Sequence, residues 1–411
     1  MLASYLFELT IWSLMLWGSV GFALEHTKVL PKGVRNVDIK VVNSEISEQT
    51  NNKGVPEPLA KPITQDLTFE KAAKEEKDAI KRIKLKGFLR ERGLSDDDSL
   101  GQYTGDVQGQ VTVVAPIISY GITESLTLAI AVPIYRASTA VSVGFQPSGT
   151  GQRFLELLAE PYSNEIQEAH VVGRKLNNAV DVLNEKLVND GYEPIQNWSG
   201  SGIGDMTLAA KYRFFEAKRI ASATTFGVTA PSGKKDDPDS LTDVGFGDGS
   251  WDTFAQISFD QPLGSWQFFM NEFTKYTVQF ADQKEVRMIT EDDPIADSKR
   301  TVRYKLGDKF DAGWSLQYEP SFGLVTGTGY SYFKKFDDSY YGAGISKDTL
   351  EKGTEQEAHI AEAMIGYSGV PAYLRGSIPA PFMVTLAYKK QLKSRNMPIS
   401  DLAEFDFHLF F

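Results

Sequence analysis

The chain ends on "EFDFHLFF", Glu404 to Phe411. Phe405, Phe407, Leu409 and Phe411 share one parity, and Glu404, Asp406 and His408 share the other. A β-strand sends alternate side chains to opposite faces, so this segment has an apolar, aromatic face and an ionic one. In a soluble sheet the ionic face would meet water. In a membrane barrel the apolar face meets lipid and the ionic face a wet lumen. One segment alone leaves both open.

Other segments repeat the pattern. "DMTLAAKYRF" (205–214) sets Met206, Leu208, Ala210, Tyr212 and Phe214 against Asp205, Thr207, Lys211 and Arg213. "SLTLAIAVPI" (125–134), "WDTFAQISFD" (251–260) and "FDAGWSLQY" (310–318) alternate in the same way. Aromatics gather toward the ends of the apolar rows, where a membrane barrel places its interfacial girdles. The spacing predicts strands near 34–43, 105–119, 124–138, 203–215, 219–231, 250–261, 265–280, 301–318, 323–335, 355–367, 381–392 and 401–411. An even number of strands is what single-chain bacterial barrels have. Short connections at 121–125, 215–219, 260–265 and 319–323, and a longer one at 368–380, alternate with long ones at 44–104, 139–202, 232–249, 281–300 and 336–354. The expected fold class is therefore all-β: a transmembrane antiparallel up-and-down β-barrel of about twelve strands. Short turns and both termini would face the periplasm, and the long loops the outside. The rival is a soluble two-sheet protein with the same rows packed into a dry interior.

Two of the long loops carry helical signals. "TFEKAAKEEKDAIKRIKLKGFLRERG" has an N-cap candidate at Thr68 and a stop at Gly93. Further on, Ala169, Val172, Leu176, Val180, Leu183 and Leu187 form a helical stripe, which predicts a helical cap on the outer mouth near 153–190. Residues 1–23 read as a secretory signal, with an apolar stretch from Leu9 to Ala23 and Gly21 and Ala23 as a small-x-small cleavage pattern. The n-region has no Lys or Arg and carries Glu8, so an uncleaved anchor is the alternative. The barrel would then occupy 24–411, and the few residues before the first strand are too short for a plug domain.

Composition bounds the chemistry. A formal charge of −11 and no basic stripe argue against a nucleic-acid partner. Cysteine is absent, which excludes disulfides and thiolate metal sites. The inward parity collects Asp38, Asp252, Asp311, Glu362, Glu404 and Asp406 with Lys40, Lys211, Arg213 and Lys389. These charges either cross-pair inside a narrow barrel or tune what passes through it. Glu272 falls on the lipid-facing parity, which predicts a bulge or a register change near Asn271–Phe273. "GSGIGD" (200–205) and "GFGDGSWD" (245–252) do not open a helix after a strand, so they read as bends rather than phosphate loops. Asp236, Asp237, Asp239 and Asp243 lack EF-hand spacing and read as a solvated loop, with Ca²⁺ binding the alternative. The histidines His26, His170, His359 and His408 lie in separate elements, and none has Ser two residues later. An outer-membrane hydrolase lacks its parts, so no catalytic residue, metal or cofactor is expected.

"GSGIGDMTLAAKYRF", "FGVTAPSGKKDD" and "GDGSWDTFAQISFDQPLG" follow one another in an order that resembles the outer-membrane family of the MetA pathway of phenol degradation. The carrying positions are Gly202–Arg213, Pro231–Gly233 and Gly247–Trp251. That family looks like a relative of the fatty-acid and aromatic-hydrocarbon channels. The resemblance implies the outer membrane of a Gram-negative cell, outer-membrane lipid around the barrel, and passive, porin-like transport of a small apolar or aromatic molecule. A non-conducting structural or docking barrel is the alternative function. Alternating aromatics that end in Phe also resemble the signals read by the barrel-assembly machinery, which implies that role for Phe407, Leu409 and Phe411.

Overall fold

The computed structural model describes residues 26–411 apart from 62, 65, 75–78, 160–168, 170–171, 175–176, 218–219, 265–266, 290–295, 297 and 343. The leader and His170 therefore lie outside the described residues. The barrel strands are β1 (Arg35–Ile46), β2 (Ser99–Gly121), β3 (Leu126–Ala131, continuing as Ile134–Pro147), β4 (Trp198–Ile203, continuing as Met206–Ala217), β5 (Ile220–Ala230) and β6 (Asp252–Pro262). They continue as β7 (Phe268–Gln279), β8 (Lys309–Tyr318), β9 (Leu324–Lys335), β10 (Gln356–Ser368), β11 (Phe382–Arg395) and β12 (Leu402–Phe410). Each pairs antiparallel with its neighbours in sequence. The cylinder closes where β1 meets β12, with Asn36 opposite Phe410 and Ser44 opposite Leu402. Closure leaves no strand edge, so every wall can satisfy its backbone without water.

Burial separates the barrel from its soluble rival. Leu208 and Phe226 are each 59% exposed and Ile365 57%, whereas Asp38 and Lys40 are 1% exposed and Glu404 2%. Oily side chains outside and charges inside reverse the order of a soluble core. Hydrocarbon is the solvent that accepts such a belt. Rings collect at the periplasmic end of the belt: Phe268 lies 4.7 Å from Tyr318, and Phe382 6.4 Å from Phe407.

Three departures from the expected strands have local causes. The segment expected at 301–318 divides. Lys299–Lys305 leaves the wall to pair with Asp282–Arg287 and Ser339–Tyr341, and only Lys309–Tyr318 stays in the barrel. Gly307 sits at the division, and its N–H donates to buried Asp338. Neither the bulge nor the register change expected near Asn271–Phe273 forms. Glu272 pairs in unbroken register with Phe259 and Trp314 and stays on the outer face. The regular ladder on both sides of β7 outweighs the cost of one outward carboxylate. Finally, β3 is interrupted at Val132–Pro133 and β4 at Gly204–Asp205, side by side in the wall. Proline has no N–H to give a ladder. A side chain on Gly204 would put Cβ 2.3 Å from the Tyr135 ring. The extra residue shifts the phase, so Ile203 and Met206 are both exposed on the outer face.

β2 and β3 stand well above the membrane. Outward residues of β2 change from Tyr120, Ile118, Pro116 and Val114 to Gln110, Gln108, Asp106 and Thr104 as the strand rises. Around its far end pack helices α1 (Phe69–Lys74), α2 (Ala79–Glu91) and α3 (Gly149–Ala159), through Phe69, Leu85, Phe88, Leu89, Leu100 and Phe154. A second outer cluster joins helix α4 (Ala179–Asn189) to the 282–305 hairpin through Leu187, Tyr192, Val286, Val302, Tyr304 and Tyr340.

Candidate functional site

The charged wall of the lumen is built by β10, β11, β12 and β1. Lys40 Nζ lies 2.8 Å from Glu404 Oε1 and 3.3 Å from Asp406 Oδ2. Lys389 Nζ lies 3.0 Å from the other Glu404 oxygen. His408 Nδ1 is 3.5 Å from Asp38 Oδ2, and register sets Glu362 opposite Lys389. Period two places these groups on one face, and pairing lets them stay there: a buried charge is tolerated only with a partner.

The remaining inward charges lie elsewhere. Asp252 is on the opposite wall, where Gln279 Nε2 donates to it at 3.3 Å and Lys309 Nζ lies 3.9 Å away. Asp311 is buried on β8, opposite Lys275 in register. Lys211 donates to the His26 carbonyl at 2.7 Å. Arg213 sits lower still, at the periplasmic rim, donating to the Glu124 carbonyl at 3.1 Å and pairing with Glu216. His359 lies on the outer face of the wall against Tyr330 and Tyr332, whereas His408 lies inside, so the two share no site.

Which segments fill the lumen was not readable from the sequence. At the periplasmic end the residues before β1 cross the opening, although they are too few for a domain. Thr27 donates through N and Oγ1 to Asp260 Oδ2 at 2.9 and 2.6 Å, Lys28 pairs with Glu319 at 2.9 Å, and Leu30 N donates to Thr127 Oγ1 at 2.8 Å. No local signal announces this, because the partners are 97 to 291 residues away.

In the outer half an apolar cluster fills the side of β1–β4. Leu59, Ala60 and Ile63 enter from the first long connection, and Val244 and Phe246 from the connection 231–251. They pack on Val42, Val107, Val111, Val113, Tyr135 and Ala137. The glycine-rich stretches are the surfaces that admit Phe246. A Cβ on Gly202 would lie 2.9 Å from its ring, and one on Gly233 2.4 Å from its carbonyl oxygen. Phe246 also stacks on Tyr135 at 5.6 Å. Asp205 fastens the unit, accepting from Gly233 N at 2.8 Å and Asp248 N at 3.1 Å. A faint signal existed: apolar Leu59, Ala60, Ile63, Val244 and Phe246 stand alone in polar or glycine-rich loops.

At the outer end Arg287 ties the residues after α4, the 231–251 connection and the Asp282–Arg287 strand into one unit, a lid. Its guanidinium donates to the carbonyls of Asp190 at 2.8 Å, Gly191 at 2.6 Å and Ala296 at 3.3 Å, and to Asp239 Oδ1 at 2.5 Å. It also stacks on Tyr192 at 3.9 Å. Of the acidic loop, Asp239 is thus committed to Arg287 and Lys299. Asp243 accepts from Asp237 N at 2.9 Å, and burial pushes its carboxyl up to about 6. Under the lid is a half-open cavity of about 170 Å³ between Val141 and Val143 of β3, Val180, Leu183 and Asn184 of α4, and Ile195. Val141 and Val143 also pack against the apolar cluster, so cavity and cluster are continuous.

A closed ladder, an oily belt and a paired ionic lumen define an outer-membrane β-barrel. The family model described as "Putative MetA-pathway of phenol degradation" matches residues 95–396, and the chain belongs to that family. Among solved structures it is similar to an outer membrane channel from Pseudomonas putida F1, with a TM-score of 0.52 and 13% identity over 95% of this chain and 100% of that one. At that identity the likeness speaks for the fold. A FadL homologue of Pseudomonas aeruginosa (TM-score 0.34, 9% identity, 92% of this chain and 90% of that one) matches more loosely. So does the CymD monoaromatic hydrocarbon channel (TM-score 0.33, 11% identity, 93% and 89%), and neither carries a further argument. No curated protein matches the chain.

Proposed function

We propose that this barrel passes small apolar or aromatic molecules across the outer membrane, along the β1–β4 side of its lumen. One observation carries the proposal: the apolar cluster runs from the outer cavity, through Val244 and Phe246, to Tyr135 at the paired interruptions of β3 and β4. A barrel that needed only rigidity could fill this space with the paired charges it uses on the other wall. An apolar solute moving along the seam exchanges one apolar neighbour for another, whereas a solute crossing the ionic wall would have to part buried ion pairs. The seam ends where the wall is bridged by Gly204 N donating to the Pro133 carbonyl at 2.8 Å. Missing ladder rungs make that place the easiest one to leave sideways.

The second reading, a non-conducting docking barrel, draws on what lies at the two ends: the segment 26–30 below and the lid above. Uptake separates the two. Cells carrying the chain should accumulate labelled toluene or styrene several-fold faster than cells without it, while the purified barrel shows little ion conductance in planar bilayers. Phe246→Asp, which charges the seam, should remove the gain. Equal uptake with and without the chain would move the assignment to the docking barrel.

A further inference from the structure

The outward residues of β9, β10 and β11 form a grid that register fixes. Its top row is Lys334, Glu357 and Arg395, and the next is Tyr332, His359 and Lys393. Tyr330, Ala361 and Lys390 follow, then Thr328, Ala363 and Tyr388. Below them Ile365 and Leu386 are 57% and 56% exposed in the oily belt. The tyrosines mark the outer interface, where a barrel carries its aromatic girdle. Four cations therefore stand at the outer edge of the hydrocarbon, on a chain whose formal charge is −11. Toward the same end of β1 and β2 the outward residues are Asn43, Glu45, Thr112 and Gln110.

Two features make this face more than a scatter of lysines. The first is a bulge. Register shifts between His359, which pairs with Lys393, and Ile360, which pairs with Gln391, so Leu392 has no partner. Leu392 and Lys393 are consecutive, yet both are exposed. A bulge re-aims side chains, and this one sets an apolar residue beside a cation on the outer wall. The second is a groove. Ala361 and Ala363 are small, and across the strands they face the larger Tyr330 and Lys390, Thr328 and Tyr388. The nearby acids are engaged. Arg395 Nη2 lies 3.2 Å from Glu355 and 3.7 Å from Glu357, and His359 Nε2 lies 3.3 Å from Glu357. Asp401 lies 3.9 Å from Lys390 Nζ and accepts from Tyr388 at 2.6 Å. Lys334 and Lys393 make no ion pair among the described residues, and Lys334 Nζ lies 5.2 Å from the Phe336 ring.

We infer that this face binds a phosphorylated lipid of the outer leaflet, its phosphate held by Lys334 and Lys393 and one acyl chain lying along the groove of Ala361 and Ala363. The two lysines stand on the strands that flank β10, about 10 Å apart across the sheet. Their long side chains can close on one phosphate above His359. Charge complementarity names the anion, because phosphate is the group that such cations hold most strongly. The apolar row below names a lipid rather than a free ion, since inorganic phosphate gains nothing from Leu392, Ala363 or Ile365. The assignment does not depend on what the lumen passes.

The test uses the full chain, purified in detergent free of bacterial lipid, with adducts counted by native mass spectrometry. The probes are lipid A with its phosphates and the same lipid stripped of them. The stripped form should bind about tenfold more weakly. Lys334→Gln with Lys393→Gln should weaken phosphorylated lipid A about fivefold for each charge removed, and leave the stripped form unchanged. Ala363→Trp fills the groove at constant charge and should weaken both forms. Lys84→Gln, on α2 above the membrane, should change neither, and inorganic phosphate in excess should displace neither. All these side chains are at the surface, so each variant should keep the heat-modifiable mobility of the folded barrel. Equal binding of the two forms, full binding by the double lysine variant, an equal loss in Lys84→Gln, or displacement by inorganic phosphate would overturn the assignment.

Discussion

Glu272 shows how far a single side chain can be read from its neighbours in sequence. Parity alone assigns it to the outer face, between Phe259 and Trp314, and the ladder keeps it there. Avoiding the exposure would need a bulge, and a bulge in β7 would break register with β6 and β8 at once. A lone carboxylate in the belt costs less than a lone Lys or Arg there, so the regular sheet wins. Glu272→Leu should therefore stabilise the folded barrel by about 1 kcal/mol, less than the worth of a Lys or Arg on the lipid face. Reversible urea unfolding in lipid vesicles reads it, and an unchanged or lower midpoint would count against the outward placement. The face on which each charged residue lies was equally legible, since period two sets it opposite the oily row. Which of them meet was not. Glu404 joins Lys40 and Lys389 because β1 and β11 flank β12, and that adjacency is a property of closure.

Among the elements, connections were harder to read than strands. The 231–251 connection was expected to be a solvated acidic loop. Instead it turns inward with Val244 and Phe246, and buries Asp243 to 3% exposure. Burial raises that carboxyl from 3.8 to about 6, so the folded loop binds the proton more tightly than the unfolded chain. The proton's stabilisation is complete below the unfolded value and is lost as the pH rises through about 6. Amide protection across Asp236–Asp243, corrected for intrinsic exchange, should accordingly fall between pH 5 and 7.5. Asn at 243 can still accept from Asp237 N–H but has no proton to lose, so Asp243→Asn should flatten the response. Protection that stays level in the wild type would exclude this titration. The split of the segment expected at 301–318 has the same origin. A run of alternating residues looks alike whether it pairs in the wall or in a hairpin beside it, and the contacts of Gly307 with distant Asp338 decide where the wall begins.

For the whole molecule, the pairing of β1 with β12 closes the wall. Arg35 N donates to the Phe411 carbonyl at 2.8 Å, and Phe411 N donates to the Arg35 carbonyl at 3.0 Å, so the final residue supplies the terminal rung. Its ring is 59% exposed at the periplasmic edge of the belt. We propose that Phe411, with Phe407 and Leu409, is the part of the strand the assembly machinery engages. Deleting Phe411 should lower the inserted, heat-modifiable fraction several-fold in cells, and normal insertion of the shortened chain would dismiss the role. Alternation along the segments, with the spacing of the connections, was enough to predict about twelve strands with one oily and one ionic face, because side-chain direction in a strand depends only on parity; only the closed ladder and the outward exposure of the oily rows decided the barrel against a soluble two-sheet protein. The plug of Leu59, Ile63, Val244 and Phe246, the segment at the periplasmic mouth, the lid tied by Arg287 and the cavity beside Asn184 all depend on contacts between residues far apart in the chain. No local period encodes such contacts, and only the closed barrel, by bringing distant loops into one enclosed space, brings them together.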